Sequence, residues 1–279
     1  MSKRHVSNAL WKAVTPLLPQ PKPSPKGGRP PVPNRACLEG IIFVLKTGMP
    51  WQMLPTELGY GSGSTCWRRF RDWTRLEVWP KLHGALLRVL GRRGQINLER
   101  AVIDSASVRA LKGGAHTGPN PTDRGKRGCK RHIVTDADGI PLVVRTGPAN
   151  QPDAELELEM LDAIPPCAGS RGRPRRRPEA FQGDGAYGIK AIVAEVVQRR
   201  VRSLLAPYGT ARKEHGSGLG KTRYVVERTL SWVGNFRRLK LCYERFGEHF
   251  QAFHELAACV LCAHKLRAAR AERQHKKAA

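Results

Sequence analysis

The sequence predicts an α/β domain from about residue 100 onwards, preceded by a small all-α module of the helix-turn-helix type. Two observations carry this. Apolar residues recur at helical spacing through the first 80 residues, and short β-branched runs then interleave with amphipathic segments. The expected division is 1–95 for the helical part and 98–279 for the sheet part.

Residues 1–20 read as a helix: Ser7 can cap it, and Leu10, Trp11, Val14, Leu17 and Leu18 share a face. The Pro-rich basic stretch 19–34 reads as an extended arm. Residues 35–48 form a second helix with Leu38, Ile41, Ile42 and Leu45 apolar, stopped by Gly48. Residues 64–79 form a third, with Ser64 near its cap. Trp67, Phe70 and Trp73 or Thr74 face inward, and Arg68, Arg69, Arg71 and Arg75 face out. Arginines on the last of several short helices suit a DNA-reading module; a bundle with a solvated basic face gives the same pattern.

The second part opens with a short apolar strand at 101–108. A hairpin follows at 131–147, turning at Asp138-Gly139. Residues 153–164 read as a helix, 179–188 as a strand running into a Gly-rich turn, 189–200 as a helix and 201–207 as a strand. Long helices are expected at 222–240 and 249–270.

Charge dominates the composition. The chain has 49 Lys+Arg against 23 Asp+Glu, a formal net charge of +26. Residues 1–100 carry 17 basic and 5 acidic side chains, net +12, leaving 26 − 12 = +14 for the rest. A surplus spread along the whole chain points to a long polyanion rather than a small phosphorylated metabolite. No apolar run approaches the roughly 18 residues of a membrane span, and no signal-peptide pattern is present. The seven cysteines are scattered, as in a reducing cytoplasm. Cys259-x-x-Cys262 with His264 has half the spacing of a zinc site but reads as core, because it lies on an apolar helical stretch without a second pair.

Three acids stand out by context. Asp104 ends the run AVID, Asp184 follows a second strand between Gly183 and Gly185, and Glu227 sits among apolar helical residues. Carboxylates at strand ends and on a facing helix can converge although far apart in sequence. Such a cluster repels itself until divalent cations neutralise it, and oxygen ligands suit Mg²⁺ or Mn²⁺. Two such ions serve in-line displacement at phosphorus, for which a basic protein supplies the phosphodiester. Asp136 and Asp138 are assigned instead to the hairpin turn, and Glu155, Glu157 and Glu159 to a solvated helix face.

At these residues the chain resembles the DDE transposases of the bacterial insertion-sequence group numbered four and five, most of all the short members of family five. The likeness rests on LLP (17–19), GGRP (27–30), LKTGMPWQMLP (45–55), TCWRRFRDW (65–73) and VW (78–79). It continues in VIDSASVRA (102–110), GDGAYG (183–188) and RYVVERTLSWVGNFRRLKLCYERF (223–246). It implies a ribonuclease-H-like catalytic domain, two Mg²⁺ (Mn²⁺ substituting) on Asp104, Asp184 and Glu227, and a catalytic Arg223 one helical turn before Glu227. Gly220 and Gly234 stand where the wider group has Tyr and Lys, and those roles are not carried over. Gly185 replaces a common Lys, while Tyr187 is retained.

The implied partners are double-stranded DNA at the element ends and at the target, gripped by a homodimer, in a nucleoid-associated cytoplasmic protein. The expected DNA contacts are Arg68, Arg69 and Arg71 on the third helix, Arg237 and Arg238 downstream of Glu227, and two basic arms carrying Arg29, Arg171, Arg173, Arg175 and Arg176. Three other readings stay open. A transposase-derived regulator would bind without cutting, a nuclease would cut without joining, and a ribosome-associated RNA binder would fit the charge but leave the three acids unexplained.

Overall fold

The helices expected before residue 80 form, with shifted ends. In the computed structural model, which describes residues 5–20, 30–168, 174–205 and 220–278, α1 (Asn8–Val14) is capped by Ser7, whose Oγ accepts from the Leu10 amide at 3.2 Å. It gives way to a 3₁₀ turn at Thr15–Leu17, where Pro16 cannot donate onward. α2 (Asn34–Thr47) stops at Gly48, whose φ of 73° is left-handed; a Cβ there would also lie 3.1 Å from the Arg237 backbone. α3 (Gly63–Arg75) is capped by Ser62, not Ser64.

The third helix does not reach residue 79. Glu77 adopts φ 54° and breaks it, and α4 (Val78–Arg92) begins at the next residue. No Gly or Pro marks the break, which is why periodicity alone ran the two together. The signal for α4 is Pro80 in a first turn followed by Leu82, Leu86, Leu87 and Leu90, all buried.

The sheet has β1 (Arg100–Arg109), β2 (Gly118–Pro119), β3 (Arg127–Asp136), β4 (Pro141–Pro148), β5 (Ala180–Gly183) and β6 (Arg202–Leu205). β4, β3 and β1 are antiparallel neighbours; β5 and β6 continue parallel to β1, and β2 extends the far end of β3. The order β4-β3-β1-β5-β6 is that of the ribonuclease-H-like fold. β3 starts four residues before the expected hairpin strand. Its polar first half, RGCK, lacks an apolar signal but pairs with the equally polar second half of β1, Arg109 facing Gly128 and Ser105 facing His132. The hairpin turns at Gly139, φ 87°.

Four helices follow: α5 (Ala154–Asp162), α6 (Lys190–Gln198), α7 (Gly220–Gly234) and α8 (Gly247–Ala278). α7 ends at Gly234, and a 3₁₀ turn at Arg237–Leu239 replaces the rest of the expected helix.

The expected boundary at 95–98 falls between α4 and β1, but one continuous core runs across it, from Val6 to Leu266. α8 is the reason, for it packs on both α4 and β4. Phe253 of α8 stacks on Phe70 of α3 at 4.2 Å, and Trp51 stacks on Phe253 at 6.1 Å. Cys259 Sγ lies 3.7 Å from the Trp79 carbonyl. Cys259 and Cys262 are both fully buried on α8, whereas His264 is exposed. His83 of α4 meets the Pro141 carbonyl of β4 at 2.9 Å.

Candidate active site

Asp104 sits mid-way along β1, opposite Ile133 of β3, with its Oδ1 accepting from the Ser105 amide at 2.8 Å. β5 runs parallel beside it, Val102 facing Gln182, so Asp184 emerges from β5 next to Asp104. Asp184 Oδ1 accepts from the Ala186 amide at 2.9 Å, which ties the carboxylate into the Gly-rich turn. A side chain at Gly183 would press on Leu205, Tyr187 and Ile103 at 3.0–3.1 Å, so this turn needs the glycine for close packing.

Glu227 arrives from α7, which is pinned at both ends. Thr222 hydrogen-bonds Gln182 of β5, and Thr229 Oγ1 donates to the Gly139 carbonyl at 2.7 Å. Val225 and Val226 bury against Val102 of β1. This pinning turns Glu227 and Arg223, four residues apart, to the same side. Arg223 donates to Glu227 Oε1 from Nε at 3.1 Å and from a terminal nitrogen at 2.8 Å. Its other terminal nitrogen lies 3.6 Å from Asp184 Oδ2.

The electrostatics follow from this crowding. Burial pushes the Asp104 carboxyl up to about 6; the Ser105 amide and Arg223 oppose the shift, and the charges of Asp184 and Glu227 add to it. One guanidinium thus serves three acids. Among the described residues, no three of the acids, imidazoles or thiols stand close enough to chelate an ion as placed, since Arg223 lies between Asp184 and Glu227. The donor set is all oxygen and short of positive charge, which fits a hard divalent cation.

Glu157 departs from its assignment to a solvated face. It is 0% exposed, shares the buried face of α5 with Met160 and Leu161, and among the described residues neither carboxylate oxygen has a hydrogen-bond partner. Burial, then the charge of Asp184, pushes it up to about 8. Spacing could have shown this: 157, 160 and 161 lie on one face of a helix, whereas Glu155 and Glu159 point outward. Asp136 does serve the hairpin turn, accepting from the amides of Asn97, Asp138 and Ile140.

The expected DNA-facing arginines scatter. Arg68 is exposed and Arg69 half-buried, and both line a cavity of about 1030 Å³ against Pro30–Pro33. Arg71 pairs with Asp72 at 2.9 Å and lies over the Trp67 ring. Arg237 is exposed. Arg238 is only 8% exposed; it donates to Glu244 at 2.9 Å, reaches the Met49 carbonyl and stacks over Phe253 and Tyr243, so it holds the interior together. Arg175 pairs with Glu179, and Arg176 donates to the Asp162 carbonyl. Both precede β5, whereas Asp184 follows it, so that segment meets the opposite end of the strand. Arg29, Arg171 and Arg173 lie outside the described residues.

Sequence reasoning missed a stripe on α7. Tyr224 and Trp232, 54% and 41% exposed, flank Arg228, whose guanidinium lies 5.5 and 4.8 Å from their rings. The i, i+4, i+8 spacing beside Arg223 and Glu227 was the available signal.

Comparison with known proteins bears on the family of the chain. Residues 98–262 match the family model described as "Transposase DDE domain", and residues 6–83 match a model for transposases of the IS4/5 family. The transposase ascribed to insertion sequence element IS402 of Burkholderia cepacia is 44% identical over 170 residues, 61% of this chain and 77% of the relative. An uncharacterized 16.2 kDa protein of the same element is 50% identical over 123 residues, 43% of this chain and 84% of its own. Among solved structures, the Mos1 strand transfer complex aligns over 87% of this chain and 81% of its own, at 13% identity and a TM-score of 0.27.

Proposed function

The chain belongs to the DDE transposase family, enzymes of DNA cleavage and strand transfer that depend on divalent metal, and on that premise we propose that it binds the terminal inverted repeats of its insertion sequence, cuts the DNA at their ends and joins them to target DNA. The observation that carries the proposal is the meeting of Asp104, Asp184 and Glu227 around Arg223 over the central strands β1 and β5 of a ribonuclease-H-like sheet.

In this reading Asp104, Asp184 and Glu227 hold two Mg²⁺, with Mn²⁺ as substitute. Bound there, the ions supply activation of the attacking oxygen and stabilisation of the leaving one. The protein's own work is placement. The Ser105 amide fixes one oxygen of Asp104, and the Gly-rich turn fixes one of Asp184. Arg223 pairs with Asp184 and Glu227 in the free enzyme and would turn to a scissile phosphate once cations take over the acids. Arg68 and Arg69, with the two basic arms, supply phosphate contacts that fix register. Tyr224, Arg228 and Trp232 offer an aromatic and cationic track beside the acids. Cutting two ends together calls for a homodimer on DNA.

The test is cleavage and strand transfer in vitro with Mg²⁺ on a labelled duplex carrying the element end, wild type beside Asp104→Ala, Asp184→Ala and Glu227→Ala. Wild type should cut and join, while the variants bind the end and do neither. A wild type that binds but never cuts with Mg²⁺ or Mn²⁺ would replace this reading with a DNA-binding regulator; cutting without joining would make it a nuclease.

A further inference from the structure

Behind Asp104 lies a polar cluster that the three acids do not use. Its centre is Asp153, at the start of α5. Asp153 Oδ1 accepts from Ser105 Oγ at 2.8 Å, and Lys130 Nζ of β3 lies 3.2 Å from the same oxygen. His132 Nδ1, also on β3 and fully buried, is 3.5 Å away. Lys130 is held in turn, donating to the Gln151 carbonyl at 2.8 Å.

Ser105 is the link that matters. Its amide grips Asp104 Oδ1 at 2.8 Å, while its hydroxyl is gripped by Asp153. The register of β1 makes this possible. Ser105 faces His132 across the ladder and Ser107 faces Lys130, so Asp153 is approached by neighbouring residues of both strands. The Tyr187 hydroxyl, from the turn that carries Asp184, is buried beside the Ser105 side chain; burial, then the charges of Asp153 and Asp104, hold its proton on, against the opposing effect of Ser105. Asp104 and the turn that carries Asp184 therefore abut one hub.

We propose that Asp153 is a positioning residue for the metal site: it anchors Ser105 through its hydroxyl, and Ser105 fixes the carboxylate of Asp104. This rests on the reading of Asp104 as a metal ligand. A carboxylate held in a single orientation binds a cation at less ordering cost. Lys130 holds Asp153 in place, and His132, which burial holds near 4 against the pull of Asp153, stays neutral and adds shape rather than charge.

The experiment measures Mn²⁺ binding to the full-length protein by calorimetry, without DNA, for wild type, Ser105→Ala, Asp153→Ala, Asp153→Asn, the Ser105→Ala/Asp153→Ala double variant and Asp104→Ala. Duplex binding without metal and thermal melting are recorded alongside. The expected result is a loss of about 10- to 100-fold in Mn²⁺ affinity for each alanine variant, the range typical of partners that orient a metal ligand. The double variant should be no worse than the singles, because both break one chain. Asp153→Asn, which still accepts from Ser105, should recover most of the affinity. Duplex binding should stay at the wild-type level.

Unchanged Mn²⁺ affinity in Ser105→Ala would overturn the proposal, as would losses that multiply in the double variant. A lower melting temperature in Asp153→Ala with wild-type Mn²⁺ affinity would make Asp153 merely structural. If Asp153→Ala fails to fold, Ser105→Ala and Asp153→Asn still decide. Wild-type affinity in Asp104→Ala would sink the metal-site reading itself, a different failure from a silent Ser105→Ala against a defective Asp104→Ala.

Discussion

Replacing Glu244 by Leu removes the acceptor that holds Arg238. The pair lies at the seam between the helical part and the sheet part, with side chains 9% and 10% exposed, and Arg238 also meets the Met49 carbonyl and the Phe253 ring. Breaking a buried pair from one side leaves an uncompensated charge and costs about 3–5 kcal/mol. At about 2–4 °C per kcal/mol for a domain of this size, melting should fall by roughly 6–20 °C. The double variant Arg238→Met/Glu244→Leu should return most of that loss, since an apolar pair of similar volume carries no desolvation cost. Urea denaturation gives the free energies, and duplex binding at fixed salt is measured on the folded variants. If Arg238 were instead a phosphate contact, Arg238→Met would lower DNA affinity and flatten its salt dependence with little change in stability. That outcome, or a loss below 1 kcal/mol in Glu244→Leu, would refute the reasoning.

Three further outcomes follow. Glu157, pushed up to about 8 from an ordinary 4.5, contributes stability that is fully present below about pH 4.5 and lost as pH rises through 8. Glu157→Gln should therefore gain on wild type by up to about 1.4 kcal/mol per pH unit in that window; urea midpoints at pH 5, 6.5 and 8 that move in parallel for both proteins would show that the carboxyl is not perturbed. Arg68→Ala and Arg69→Ala should each reduce the slope of log affinity against log salt by about 1 on any duplex; slopes equal to wild type would remove that face from the DNA path. A Cβ at Gly91 would lie 1.4 Å from the Cys167 carbonyl oxygen, so Gly91→Ala should cost about 1–3 kcal/mol by forcing α4 off its neighbour, and a wild-type melting temperature would count against this packing.

The succession of strands and helices after residue 100 was legible because it is written locally. The apolar run before Asp104 announces β1, although the strand continues to Arg109 rather than ending at the acid, and the valines around Glu227 announce the buried face of α7. What escaped was burial decided at long range. Arg238 and Glu157 look like surface charges in their own segments. One is interior because Glu244, Met49 and Phe253 surround it, the other because α5 turns that face to the sheet. The break at Glu77 escaped because a glutamate in the left-handed region leaves no compositional mark. Arg175 and Arg176 misled by proximity in sequence: four residues of β5 separate their end of the sheet from the acids, about 13 Å at strand rise.

The shared helix α8 has a consequence for the birth of the chain. Phe70, Trp79 and their neighbours leave the ribosome more than 170 residues before Phe253 and Cys259, which close over them. Domains usually settle in order as synthesis proceeds. Here the leading helices wait with an apolar face uncovered until the trailing one arrives. A ribosome that stalls or terminates early therefore releases a product whose leading helices keep that face bare, and every molecule that has closed it already carries Asp104, Asp184 and Glu227.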